Sequence, residues 1–157
     1  MTATWQEFAA QAPELAALGE AQFARTGLAL AGTLRRDGWP RISPVEPFIA
    51  AGQLYLGMMW RSVKALDLLR DPRCVVHSAV SNRDGTEGEF KVYGRAVEVT
   101  DPEELRRFYD AVCAAIGLRM EDMEGQGHCF AIAIESVVFS QLQGEEFHRQ
   151  VWKAGQN

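Results

Sequence analysis

The sequence predicts a mainly β, α+β domain, a small antiparallel barrel with helices at its rim. Two observations carry this expectation. Three strand-like segments follow one another through hairpin turns between residues 27 and 59, which argues against a doubly wound parallel sheet. The order along the chain is helix, three strands, short helix, two strands, helix and further strands, with no repeat, low-complexity tract or linker to divide it. At 157 residues, 47% hydrophobic and 24% charged, the chain suits one domain with a real core. That domain spans residues 1–157, with 1–24 as an N-terminal helical segment and 25–153 as the barrel.

The elements follow from local patterning. Thr4 and Glu7 are spaced for a capping box, and Trp5, Phe8, Leu15 and Leu18 supply an apolar face interrupted near Pro13. From Gly27 the period changes to two: Leu28, Leu30, Gly32 and Leu34 alternate with Ala29, Ala31 and Thr33. Asp37-Gly38 marks a hairpin into a strand over residues 39–49, whose Pro40, Pro44 and Pro47 suggest an edge. Ala51-Gly52 turns into a third strand, residues 53–59. Ser62 is placed to cap a short helix with Ala65, Leu66 and Leu69 on one face, ended by Asp71-Pro72. Residues 74–80 and 89–99 read as strands, the latter alternating Phe90, Val92, Gly94 and Ala96 against Lys91, Tyr93 and Arg95. Asp101-Pro102-Glu103-Glu104 starts a helix with Leu105, Phe108, Tyr109, Val112 and Ile116 as its stripe and Gly117 as its cap. A polar loop holding Gly125 and Gly127 precedes one long or two short strands over 129–142, and residues 147–152 suit a last strand.

Composition excludes several functions. A net charge near −5 argues against a nucleic-acid partner, although arginines are 13 of the 16 cationic residues and a local basic pocket is compatible. No apolar run has the eighteen or so residues of a membrane helix, and residues 1–7 lack the pattern of a signal peptide. Cys74, Cys113 and Cys129 are odd in number, far apart and set in apolar stretches. They read as reduced core cysteines, making the cytoplasm the expected location.

The residues that point to chemistry are Arg41 and Ser43, of one parity on the second strand, and Ser62 and Lys64 at the start of the short helix. A guanidinium, an ammonium, hydroxyls and a helix N-terminus converging would hold a phosphate. The same residues also read as solvated charges and an ordinary cap, and periodicity leaves their convergence open. His77 reads as a core or barrel-lining residue, with a catalytic acid or haem ligand as the alternative. His128 and His148 read as surface residues, and the three histidines show no metal spacing. Glu121, Asp122 and Glu124 read as a solvated loop. Met58, Met59 and Trp60 suit either strand-end packing or the face of a planar ligand.

Arg41-Ile-Ser-Pro-Val-Glu46, Leu54-Tyr-Leu-Gly-Met58, Ser62-Val-Lys64, Asp71-Pro-Arg73 and Glu89-Phe-Lys-Val-Tyr-Gly-Arg-Ala96, followed by Asp101-Pro-Glu-Glu, together resemble the split-barrel flavoproteins related to pyridoxamine 5′-phosphate oxidase. The resemblance runs in order over residues 25–140. It implies an FMN-binding split barrel, a homodimer with cofactor at the subunit interface, and a small-molecule substrate. Arg41 and Lys64 would hold the cofactor phosphate with Ser62 assisting. The backbone from Arg41 through Ile42 and Ser43 to Val45, with Gly57 and Met58, would line the ring. Glu89 stands where the oxidases place a glutamine that reaches the flavin from the second subunit. Departures are equally specific. Glu46 replaces a substrate-binding lysine, Val63 an arginine, and residues 147–153 lack the arginine-rich substrate signature, which points away from oxidation of pyridoxamine phosphate. The resemblance therefore implies an oxidoreductase using FMN or the deazaflavin coenzyme by hydride transfer on an unidentified small substrate. The alternative is a non-catalytic flavin- or haem-binding protein acting as store, sensor or haem handler, and a structural dimer whose pocket has lost its ligand is a third. No catalytic acid is identified.

Overall fold

The computed structural model describes residues 1–119 and 127–156, so Gly125 and the Glu121, Asp122 and Glu124 group lie outside the described residues. In chain order the elements are α1 (Trp5–Gln11), α2 (Pro13–Thr26), β1 (Ala29–Leu34), β2 (Pro40–Ala50), β3 (Gln53–Met59), α3 (Val63–Arg70), β4 (Arg73–Ser78), β5 (Glu89–Glu98), α4 (Pro102–Ile116), β6 (Gly127–Gln143) and β7 (Glu146–Lys153). The strands lie in the order β3-β2-β1-β4-β5-β6-β7, and β3 also pairs with β6, closing a six-stranded antiparallel barrel with β7 appended. This is an α+β split barrel.

Two strands change partner along their length. β2 pairs with β1 through Pro40–Val45 and with β3 through Glu46–Ala50. Each half therefore has one open side, and its three prolines are accommodated although β2 sits between two neighbours. β6 keeps β5 along one edge. On the other it pairs with β3 over residues 127–131 and with β7 over residues 136–143. β5 and β6 slip register between Tyr93 and Gly94, where a Cβ at position 94 would sit 2.4 Å from the Ala133 carbonyl oxygen. Only glycine fits that approach.

The interior is filled from alternate positions. Ala29, Ala31, Val45, Leu54, Leu56, Val76, Phe90, Val92, Ile132 and Ile134 are buried. Trp5 and Phe8 of α1 and Phe23 of α2 join Phe90 and Trp152 in an aromatic cluster at one end of the barrel. A second cluster forms where Phe108 and Val112 of α4 cover Tyr55, Phe48 and Cys129. The first capping box is as expected, Glu7 N–H donating to Thr4 Oγ1 at 3.2 Å and Thr4 N–H to Glu7 Oε2 at 2.7 Å. Asp101 likewise caps α4 and Gly117 ends it in the left-handed conformation.

Two expectations are corrected. α3 buries Ala65, Leu68 and Asp67, whereas Leu66 and Leu69 are exposed. Ile116 of α4 is exposed, so that stripe ends at Val112. The alternation of β1 resolves with Ala29, Ala31 and Thr33 buried, while Leu30, and Leu28 just before the strand, are exposed. All three cysteines are free, Cys74 and Cys129 buried and Cys113 half-buried. Among the described residues no helix is long and apolar enough to cross a membrane.

Candidate functional site: an anion cradle at the start of the third helix

The cross-strand pair Thr33 and Arg41 faces α3, and both side chains meet Asp67, which is only 3% exposed. Thr33 Oγ1 donates to Asp67 Oδ2 at 3.0 Å and Arg41 Nε donates to the same oxygen at 2.6 Å. Arg70 Nη2 donates to Asp67 Oδ1 at 3.1 Å and also bonds the Leu34 carbonyl. Burial raises the Asp67 pKa, but the bonds from Arg41, Arg70 and Thr33 outweigh it, and the carboxyl stays below the ordinary aspartate value. Two guanidiniums against one carboxylate leave one positive charge in excess. Lys64, half-buried three residues earlier on α3, has no ion-pair partner among the described residues and adds a second.

Ser62 occupies the cap position of α3, yet its hydroxyl caps nothing. Its oxygen is buried without a hydrogen-bond partner. A buried polar atom left unmatched is uncommon and needs an explanation. Here it lies where the first amides of the helix are also open to an anion. The donor set fits a phosphate monoester, whose charge is about −1.5 to −2 at neutral pH.

The other predicted residues divide by face. Ser43 lies inward beside Arg41, half-buried opposite Ala31. Val45 and Met58 are core residues, 4% and 5% exposed, so only their backbones are free to meet a ligand. Ile42 points outward and is exposed. Gly57 faces α4, with Phe108 packed against it. Gly57 and Met58 line a groove of about 290 Å³ with Phe108, Tyr109 and His128, and Arg41, Ser62 and Lys64 do not line it. Glu89 lies on the outer face of β5, with β1 and β4 between it and β2. It bonds Lys91 and, at 3.2 Å, His77 Nε2, and the Lys91 contact lowers its pKa.

Two histidines differ from expectation. His77 is on the outer face, with Nδ1 2.6 Å from the Ser78 carbonyl oxygen, because its parity on β4 is opposite to that of Val76. His128 is buried, 5% exposed, and not a surface residue. It shares its parity on β6 with Phe130, Ile132 and Ile134, which is the signal that could have found it. Its Nδ1 lies 2.7 Å from Glu98 Oε1, and its Nε2 accepts the Arg61 N–H at 3.1 Å. Trp60 stacks on the ring at 4.4 Å. His148 is exposed on β7, as expected. Asp67 is the functional residue that sequence reasoning missed.

The family model described as pyridoxamine 5′-phosphate oxidase matches residues 18–141. The chain belongs to the pyridoxamine 5′-phosphate oxidase family. Among solved structures, a haem-binding protein from Mycobacterium smegmatis is 17% identical with a TM-score of 0.65, over 87% of this chain and 57% of that one. The chain thus spans a little over half the length of that protein. A conserved hypothetical protein from Mycobacterium tuberculosis is 20% identical with a TM-score of 0.64, over 86% and 82% of the two chains. A Clostridium acetobutylicum protein related to general stress protein 26 is 12% identical with a TM-score of 0.61, over 95% and 96%. No curated protein matches the sequence.

Proposed function

We propose that this protein is an oxidoreductase that holds FMN, or the related deazaflavin coenzyme, by its phosphate and acts by hydride transfer on a small substrate. The observation that carries the reading is the buried Ser62 hydroxyl at the start of α3, without a hydrogen-bond partner among the described residues, with Lys64, which has no ion-pair partner among them, two residues on and the Arg41–Asp67 pair on the same helix. The family commonly binds flavin, which supports the same reading. When bound, the flavin supplies the hydride chemistry, and the protein's task is to bind, orient and exclude water. Arg41, Ser43, Ser62 and Lys64 would hold the phosphate. The backbones of Ile42, Val45, Gly57 and Met58 would lie beside the ring.

The complete site would need a second copy. Leu30, Ile42 and Tyr93 are exposed apolar residues on the outer face of the β2-β1-β4-β5 stretch, with exposed Pro44 opposite Leu30, and His77 and Glu89 share that outer face. A homodimer through this patch would carry Glu89 to the partner's ring. Haem is the second reading, favoured by the haem-binding protein of the same fold. It is the weaker one, because both ring nitrogens of His77 and His128 are already engaged. Three free cysteines suit a reducing compartment such as the cytoplasm.

The test is an absorption spectrum of the purified protein, then equilibrium titration with FMN, the deazaflavin coenzyme and haem. Saturable binding of one flavin per subunit, reducible by NAD(P)H or the reduced deazaflavin coenzyme and reoxidised by added acceptors, supports the enzyme. Binding without turnover leaves a flavin store or sensor, and no binding removes the reading. Arg41→Ala is expected to weaken FMN binding by about 1.5–3 kcal/mol in calorimetry, the scale of a charge-assisted hydrogen bond.

A further inference from the structure

The turn that delivers Ser62 to α3 is strained. Ser62 N–H donates to the Met59 carbonyl at 3.0 Å, closing a tight turn over Trp60 and Arg61. Arg61 sits within it at φ +53°, in the left-handed region that favours glycine. A residue in such a conformation persists only when its surroundings over-determine it. Here the restraint comes from the opposite strand. His128, level with Met58 in the β3–β6 register, accepts the Arg61 N–H on Nε2. That bond requires a lone pair on Nε2 and hence the ring proton on Nδ1, where Glu98 accepts it. Trp60, stacked on the same ring, holds the other central residue of the turn.

We infer that His128, oriented by Glu98, is a positioning residue for the phosphate cradle. It pins the Arg61 amide, the pinned amide holds the left-handed turn, and the turn aims the Ser62 hydroxyl and the first amides of α3 at the phosphate. The inference rests on the phosphate-holding reading above. His128 acts on the phosphate only through the turn, so that effect appears in the increment that the phosphate adds to binding, apart from any contact it makes in the groove beside Gly57 and Met58.

The experiment compares FMN with riboflavin, which has the same ring and no phosphate, by fluorescence titration. The readout is the ratio of the riboflavin to the FMN dissociation constant. His128→Leu removes the acceptor and is expected to lower this ratio at least tenfold, since any change in the groove that His128 shares with Gly57 and Met58 falls on both ligands alike and cancels in the ratio. His128→Gln, whose amide oxygen reaches the position of Nε2, is expected to restore the ratio to within threefold of wild type. In an Arg61→Gly background, where the turn needs no pin, adding His128→Leu is expected to change the ratio less than twofold. Should His128→Leu alone not fold, the Arg61→Gly double variant and Glu98→Ala carry the comparison, the latter lowering the ratio at least threefold. Equal weakening of both ligands, or an unchanged ratio in His128→Leu or Glu98→Ala, overturns the positioning role and leaves the phosphate reading standing. A wild type that binds FMN no more tightly than riboflavin overturns both.

Discussion

At the scale of single residues, Asp67 organises the cradle. A buried carboxylate receiving three side-chain donors is stable only as the set, and removing its charge leaves the partly exposed Arg41 and Arg70 guanidiniums without their shared anion. Asp67→Asn is expected to destabilise the fold by roughly 2–3 kcal/mol at pH 7 in urea denaturation, the scale of hydrogen bonds to a charged group. Because the folded pKa lies below the unfolded value, the contribution of Asp67 is present above about pH 4 and is lost as pH falls through the folded pKa. The difference between wild type and Asp67→Asn should therefore shrink on acidification, and a constant difference would show that the carboxylate is not the group responsible. The sequence showed Arg41 and Ser43 sharing a face through simple parity. Asp67 was not legible, because an acid flanked by Leu66 and Leu68 on a short helix has the pattern of a solvated position. Only the arrival of Thr33 and Arg41 from distant strands makes its burial tolerable.

At the scale of elements, turns and strand boundaries were the most legible features. Asp37-Gly38 and Ala51-Gly52 reverse the chain where their residue types say they should, Gly38 at φ +85° and Gly52 at +77°. Ala51 shares the second of these turns at φ +48° with an exposed side chain, and Ala51→Gly is expected to stabilise the protein by about 0.5–1 kcal/mol by relieving that conformation. Gly94→Ala is expected to cost about 2–3 kcal/mol in the same assay, since the added methyl meets the Ala133 carbonyl with no room to move. What local pattern could not show is which face of β1 turns inward. Leu28 and Leu30 are the more apolar set, yet Ala29, Ala31 and Thr33 are the buried ones. The same limit hid the continuity of β2, whose prolines suggested an edge. β2 is instead an edge twice over, once on each side.

At the scale of the whole molecule, the outward leucine and its neighbours matter for assembly. On the proposed dimer, Leu30→Glu places a charge at the middle of the apolar patch and is expected to yield monomers in sedimentation velocity while the barrel stays folded. Its FMN affinity should fall with it, since Glu89 would no longer reach a partner's ring. A Leu30→Glu variant that remains dimeric would assign the interface to another face.

The pairing of β3 with β6 also has a kinetic meaning. It joins residues from 68 apart, Met59 and Gly127, to 76 apart, Tyr55 and Ala131, whereas the β1–β2 and β2–β3 hairpins form between near neighbours. Loop-closure entropy makes such a distant pairing slow, so the zipping of this seam is expected after the hairpins have formed. The contact that holds the Ser62 turn crosses the seam and does not exist before it closes. A ligand that depends on that turn has nothing to grip on the way to the native state. In stopped-flow experiments FMN should therefore leave the refolding rate unchanged and slow only unfolding, turning the bound cofactor into a latch rather than a template.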